Sequence, residues 1–259
     1  MLGLEQHRGG DASVMDDDVA ALYARRHPRH RIQPFIGEAF RTADPTLLRV
    51  LAVGINAYLA PDDLGKTQPE SFAAWVRERR HHFYPRATNA ALTLAESLAS
   101  SSRLFEGRTV KGLDSLYLTN AVKTFLPHGT GRWATQVARE VFDEHHSTWL
   151  EELTLLERRG VFPDVIVVFG RPWWPWACRT FDPALSAPLD VQVLGHRWSD
   201  GPCRHHVNRY QLEVASQKRP LLLVGCVHPA ARRRQGSPSW LLAQPHFRRL
   251  AGLEPLSRE

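Results

Sequence analysis

The chain has 259 residues, of which 43% are hydrophobic, and it carries a formal net charge of +6 at pH 7. This length favours one domain over residues 1–259 with a sizeable core, and no apolar run approaches the roughly 18 residues that a membrane span needs. Its three cysteines form no CxxC pair and its amino terminus has no apolar signal core, so we expect a protein of the reducing cytoplasm without a disulfide framework.

The charge is dominated by arginine, which supplies 29 of the 33 basic residues. Arginine binds phosphate bidentately and stacks on bases, so this balance favours DNA as a partner. A genome with GC-rich codons raises the arginine content as well. Charge alone leaves both explanations open.

The amino-terminal part, over about residues 1–30, is predicted to be a loose extension of the domain. Within it, Asp16–His27 has acidic residues at its start and basic residues at its end, which matches the dipole of a helix. The basic stretch Arg25–Arg31 is interpreted as a solvated linker, with a DNA-contacting arm as the alternative.

Four short apolar runs predict the strands of a central parallel sheet. Runs without polar alternation are typical of strands buried on both faces, and the helical segments between them indicate crossover connections. We therefore predict an α/β fold with three α/β/α layers around a four-stranded parallel sheet. The runs lie in Arg49–Asp63, Ser115–Lys123, Pro163–Gly170 and Pro220–Ala230.

The polar residues that follow these runs are predicted to converge. In a parallel sheet the carboxyl ends of the strands share one edge, and ligands bind in the crevice there. Asn56, Asn120 and His228 each stand where an apolar run ends. They should therefore lie close together although they are far apart in sequence.

Between and after the runs, helical patterns predict four further helices. Pro245 interrupts the predicted helix Ser237–Leu250, and Gly160 should end the predicted helix Trp133–Arg159. Two strand-like stretches, Leu189–Trp198 and Val207–Val214, are interpreted as a hairpin beside the parallel sheet. The predicted helices are Pro69–Phe83, Ala87–Ser102, Trp133–Arg159 and Ser237–Leu250.

In order and spacing, the motifs GINAY, LYLTNAVK, PDVIVVFG and VHPA resemble those of the uracil-DNA glycosylase superfamily over roughly residues 49–234. The resemblance implies a uracil-DNA-glycosylase-like fold and a monofunctional DNA glycosylase. Such an enzyme flips a uracil or another altered pyrimidine out of the DNA and hydrolyses its N-glycosidic bond. It acts as a monomer on single- or double-stranded DNA and needs no catalytic lysine.

The resemblance also implies roles for single residues. Asn56 would position the attacking water, and His228 would donate a hydrogen bond to a base carbonyl as negative charge accumulates there. Asn120 would pair with the flipped base, because an amide offers a donor and an acceptor together. Taken alone, each residue has an ordinary explanation as a turn, cap or loop residue. Only their joint arrangement indicates a site.

Further residues would complete the base pocket. The backbone of Gly54, Ile55 and Ala57 would approach the base, and Phe83 would stack beneath it, unless Phe83 is a core residue. Tyr58 would exclude a substituent at position 5 of the base, with a packed aromatic as the alternative.

The DNA-binding residues implied by the resemblance are basic. Arg232, Arg233 and Arg234 would belong to a loop that enters the minor groove, with a solvated charge run as the alternative. Lys123 and Arg132 would contact phosphate.

The chain departs from the superfamily pattern at three positions. Ala57 replaces the usual proline, Ala230 replaces a serine, and Thr124 stands where one branch has a cysteine of an iron–sulfur cluster. Together with the absence of CxxC, the threonine predicts that there is no cluster. Adjacent histidines such as His145 and His146 point in different directions and lack HxxxH spacing, so we also predict no zinc and no other cofactor.

Two alternative functions remain open. The long segment 171–219, rich in tryptophan and histidine, is compatible with a defence glycosylase that excises a bulky phage-modified cytosine. Ala57 and Ala230 are compatible with a catalytically inactive, DNA-binding relative. A nucleotide hydrolase is disfavoured because the sequence has neither a Gly-rich phosphate loop nor an acidic metal cluster.

Overall fold

A computed structural model describes residues 10–27, 33–55, 57–59, 83–127, 139–181, 186–190, 206–214, 217–226 and 238–255. Within these ranges the chain forms a seven-stranded mixed sheet, a separate two-stranded sheet, and helices on both faces of the large sheet. The α/β class predicted from the sequence is confirmed.

The strands of the large sheet follow the order β1-β4-β2-β6-β9-β8-β7, and β3 pairs with β5 in the small sheet. The central strands β4, β2, β6 and β9 are parallel and coincide with the four predicted runs. At one side β1 pairs antiparallel with β4, and at the other side β8 pairs antiparallel with both β9 and β7. The strands are β1 Phe35–Ile36, β2 Val50–Gly54, β3 Ala57–Leu59, β4 Leu116–Asn120, β5 Phe125–Pro127, β6 Val165–Phe169, β7 Ser186–Asp190, β8 His206–Val214 and β9 Gln217–Cys226.

Six α-helices and four short 3-10 helices accompany the strands in the described part of the chain. The α-helices are α1 Gly10–Arg26, α2 Phe83–Ser101, α3 Arg139–Arg158, α4 Trp174–Arg179, α5 Pro238–Leu242 and α6 Pro245–Leu250. The 3-10 helices are Ala39–Arg41, Arg103–Phe105, Gly112–Ser115 and Arg171–Trp173.

Two hydrophobic cores lie on opposite faces of the sheet because successive side chains of a strand point to opposite sides. In β2, Val50 and Ala52 pack with α2, α5 and α6, whereas Leu51 and Val53 pack with α1, α3 and α4. All five residues of β2 are buried. This double burial explains why the run has no polar alternation.

The structure differs from the sequence predictions in three places. Beyond the four predicted parallel strands and the strands beside β9, the sheet also contains β1, which pairs with β4. Over residues 10–27 the amino-terminal part is not a loose extension, since α1 buries Val19 and Tyr23 in the core. The structure also contains a small sheet of β3 and β5, which the sequence patterns do not predict.

Several helix and strand ends agree with the sequence signals. Gly160 follows α3 with φ of +70°, as a helix-ending glycine does. Pro245 starts α6 rather than interrupting a single helix. Of the predicted hairpin, the strand Val207–Val214 is present within β8, which pairs antiparallel with β7, whereas of Leu189–Trp198 only Leu189 and Asp190 are described, at the end of β7. Of the predicted helix Pro69–Phe83, the described residues include only Phe83, which starts α2.

None of the helices in the described ranges combines the length and apolar character needed to cross a membrane.

Candidate functional site at the carboxyl edge of the sheet

The four parallel strands end at one edge of the sheet. Gly54, the last residue of β2, is the register partner of Asn120, the last residue of β4. Phe169 and Cys226, which end β6 and β9, are register partners in the same way. The polar residues predicted to meet therefore follow strands that end side by side.

The segments that leave β2 and β4 stay together beyond the sheet. Ala121 donates its backbone N–H to the carbonyl of Gly54, and Val122 donates to the carbonyl of Ile55, both at 2.8 Å. β3 and β5 then continue as a parallel pair. The edge is thus built from two adjacent chain segments that hydrogen bonds hold in register.

Asn120 is buried at this edge, with 2% of its surface exposed. Its Nδ2 atom has no hydrogen-bond partner within the part of the chain that the structure describes. By strand alternation, Asn120 shares the face of Leu116 and Leu118, towards α2, and the neighbouring Gly54 has no side chain to fill the space beside it. An unpaired buried donor costs about 1–3 kcal/mol, so a ligand that accepts a hydrogen bond from Nδ2 would recover this cost.

Of the other site residues predicted from the sequence, some are described by the structure and some are not. Gly54 and Ile55 are buried at the edge, Ala57 and Tyr58 lie in β3, and Phe83 starts α2. The remaining site residues predicted from the sequence lie outside the described residues: Asn56, Arg132, His228, Arg232, Arg233 and Arg234.

In sequence, two of these residues lie close to the ends of described strands. Asn56 stands between Ile55 and Ala57, and His228 is the second residue after Cys226. Both therefore follow strands that end at the edge where Asn120 lies.

The prediction for Lys123 is wrong. Its side chain is fully buried, and its ammonium group lies 2.6 Å from Glu152 Oε2 and 2.9 Å from Thr119 Oγ1. It therefore cannot contact a DNA phosphate in this conformation. The resemblance implied a phosphate contact, but the Lys123 side chain lies against Tyr23 of α1 and Glu152 of α3.

Lys123 and Glu152 form the centre of a closed polar cluster that we call the lysine cage: Tyr23, Tyr117, Thr119, Lys123, Trp149 and Glu152. Both tyrosine hydroxyls donate to Glu152 Oε1, Tyr23 at 2.6 Å. The ammonium group also lies 5.3 Å from the ring centroid of Tyr23 and 5.4 Å from that of Trp149. Every charge in the cage is therefore paired or covered by an aromatic face.

Burial dominates the ionisation of the cage. It lowers the pKa of Lys123, which the nearby carboxylate of Glu152 opposes. It raises the pKa of Tyr23 and of Tyr117, and the negative charge of Glu152 acts in the same direction. The sequence analysis missed this cluster, although Glu152 occurs among the apolar residues Trp149, Leu153 and Leu156 of α3, which signals a buried partner.

A pair of stacked histidines lies beside the cage. The rings of His27 and His145 have centroids 4.3 Å apart, and His145 Nδ1 accepts a hydrogen bond from the backbone N–H of Lys123 at 3.3 Å. Burial lowers the pKa of His27 to about 4 and that of His145 to about 3. Both rings are therefore neutral at pH 7.

Ligand atoms of His27, Glu144 and His145 all lie within 4.8 Å of one another. However, the lone pair of His145 Nδ1 is already engaged by the N–H of Lys123, so a neutral ring carries its proton on Nε2. The positive charges of Lys123 and Arg26 also act on His27. The group is better explained as a neutral packing contact than as a cation site.

A scan against models of protein families gives no match, and neither does a search of curated proteins. The fold and the edge define an α/β protein with a buried, unpaired amide at the carboxyl ends of its parallel strands. Membership of the uracil-DNA glycosylase superfamily stays a prediction from the sequence motifs.

Proposed function

We propose that the chain is a monofunctional DNA glycosylase of the uracil-DNA glycosylase superfamily, with that superfamily's α/β/α fold around four parallel strands. It would hydrolyse the N-glycosidic bond of a flipped uracil or modified pyrimidine deoxynucleotide. The observation that carries the proposal is Asn120, a buried amide with an unpaired donor, in register with Gly54 at the carboxyl edge.

The dimensions of the edge support a site for one nucleobase. Neighbouring strands lie about 4.8 Å apart, so the ends of β4 and β9 are separated by about 14 Å across the intervening strands. Asn56 follows β2 and His228 follows β9. A base bound between these strand ends would be within reach of side chains from both sides.

The residue types suit the reaction. An amide reads the edge of a pyrimidine through a donor and an acceptor, which matches the free Nδ2 of Asn120. Asn56 orients water but is not a strong base, so the rate depends on stabilising the departing base. A donor such as His228 at the developing oxyanion contributes roughly 3–4 kcal/mol to that stabilisation.

The test is release of free base from duplex and single-stranded DNA that carries uracil or other altered pyrimidines, identified by mass spectrometry. We expect release by the wild type and loss of release in Asn56→Ala with DNA affinity retained. Asn89→Ala, which changes an exposed asparagine of α2, is the matched control and should behave as the wild type. Release from no substrate at high enzyme concentration would favour the inactive, DNA-binding relative.

One observation favours a second candidate, a defence glycosylase for a bulky phage-modified cytosine. β8 and β7 extend the sheet beyond β9, the strand that leads to His228, and they belong to the long segment that the motifs do not explain. DNA containing glucosylated hydroxymethylcytosine separates the two candidates. Release of this base but not of uracil would select the second.

A further inference from the structure

We propose that Lys123 and Glu152 are positioning residues that hold Asn120 in the geometry needed to recognise a flipped base. This inference rests on the proposed function, since it assigns a role within that site. The pair does not touch the substrate. It acts through the backbone of residues 119–123.

Hydrogen bonds to other parts of the chain anchor four of these five residues. Thr119 Oγ1 lies 2.9 Å from the ammonium group of Lys123 and 3.0 Å from the hydroxyl of Tyr23. Ala121 and Val122 donate their N–H groups to the segment after β2, at 2.8 Å each. Lys123 is held by its side chain in the cage and by its N–H on His145. Only the Asn120 side chain, which lies between these anchors, has a donor left without a described partner.

The lysine cage lies on the face of β4 opposite to the Asn120 side chain. Tyr117 and Thr119 point towards α1 and α3, so Asn120 points to the opposite face. The cage is therefore on the reverse side of the same strand end. A shift of Thr119 or Lys123 moves the backbone of Asn120 directly, without passing through any other element.

Stability alone does not explain why the buried pair Lys123–Glu152 is present. A fully buried ion pair is commonly no more stabilising than apolar residues of similar volume. Both side chains here have no exposed surface. In contrast, a buried donor without a partner persists only where its surroundings fix it, because otherwise the side chain or backbone relaxes towards a hydrogen bond.

The structure offers a matched control at the other end of the sheet. Arg219 pairs with the buried Asp164 at 2.5 Å, where β6 begins. This pair is also largely buried, with side-chain exposures of 19% and 1%, but it lies at the amino end of β6. Its loss should weaken the fold without disturbing Asn120.

The experiment compares the double variant Lys123→Met/Glu152→Gln with Arg219→Met in single-turnover base release and DNA binding. Methionine and glutamine keep the approximate volume of the pair, and the double variant avoids the uncompensated buried charge that Lys123→Met alone would leave on Glu152. We expect the double variant to release base roughly 10- to 100-fold more slowly, with the Kd for DNA unchanged within about threefold. Arg219→Met should keep the wild-type rate at temperatures well below its Tm.

The side-chain amide resonance of Asn120, assigned by comparison with Asn120→Ala, provides a readout that does not need activity. It should shift in the double variant and stay in place in Arg219→Met. If the wild type releases no base but the resonance shifts, the proposed function fails while the positioning role stands. A folded double variant with the wild-type rate and resonance overturns the positioning role, as does an equal loss of rate in Arg219→Met.

Discussion

The stacked histidines allow a quantitative prediction about pH and stability. The folded protein lowers the pKa of His27 to about 4, mainly by burial and also through the charges of Lys123 and Arg26, whereas an unfolded histidine titrates near 6.5. Between these values the unfolded chain binds more protons than the folded protein. The free energy of unfolding should therefore decrease as the pH falls from about 6.5 towards 4.

The magnitude follows from the number of protons involved. Each imidazole that stays neutral in the folded state contributes at most about 1.4 kcal/mol per pH unit in this window. His145, with a pKa of about 3, adds a second such contribution, and the lowered pKa of His146 acts in the same direction. Replacing His27 by phenylalanine keeps an aromatic ring on His145 and removes one titrating group.

Urea unfolding of the wild type and His27→Phe at pH 7.5, 6.5, 5.8 and 5.0 measures this contribution, with the pH values chosen to cover the upper part of the window. From pH 6.5 to 5.0, the wild type should lose up to about 2 kcal/mol more than the variant does. The quantity compared is the change in the free energy of unfolding with pH in each protein. This comparison removes the constant stability difference that arises because the variant lacks the hydrogen bond between His27 and Thr148. Identical pH dependences would refute the assignment of His27 as a neutral buried ring.

Two further changes test the packing around the edge. Lys123→Met should lower the free energy of unfolding by about 3–5 kcal/mol because it removes the cation paired with the buried Glu152. A double-mutant cycle with Glu152→Gln should recover part of this loss, and additive effects would contradict the coupling. Gly170→Ala should destabilise the protein by about 1–3 kcal/mol, since Gly170 has φ of +108° and the added Cβ would clash with the side chain of Ile55. An unchanged Tm would contradict the described conformation of the turn after β6.

The sequence predicted the centre of the sheet because burial on both faces leaves a strong signal. Runs such as Val165–Phe169 are continuous, β-branched and bounded by Pro163 and Gly170, and the structure places β6 there. The convergence of the strand ends followed from parallel topology, so the position of Asn120 could also be predicted.

The parts that could not be predicted depend on contacts distant in sequence. The burial of Lys123 could not be predicted because nothing local shows that its partner is Glu152, 29 residues away. α1 looked like a loose extension because its buried face is recognised only once α3 and the sheet are in place. β3 and β5 are three-residue strands, which are too short to show a periodic pattern.

The central claim is that the unpaired amide of Asn120 recognises a flipped base at the carboxyl edge. The most direct measurement is the rate of free-base release by the wild type and by Asn120→Ala on the same altered-pyrimidine DNA, together with the Kd for that DNA. We predict release by the wild type and a rate at least roughly 100-fold lower in the variant, with the Kd retained. Equal rates in the two proteins would contradict the claim, as would a wild type that releases no base from any substrate.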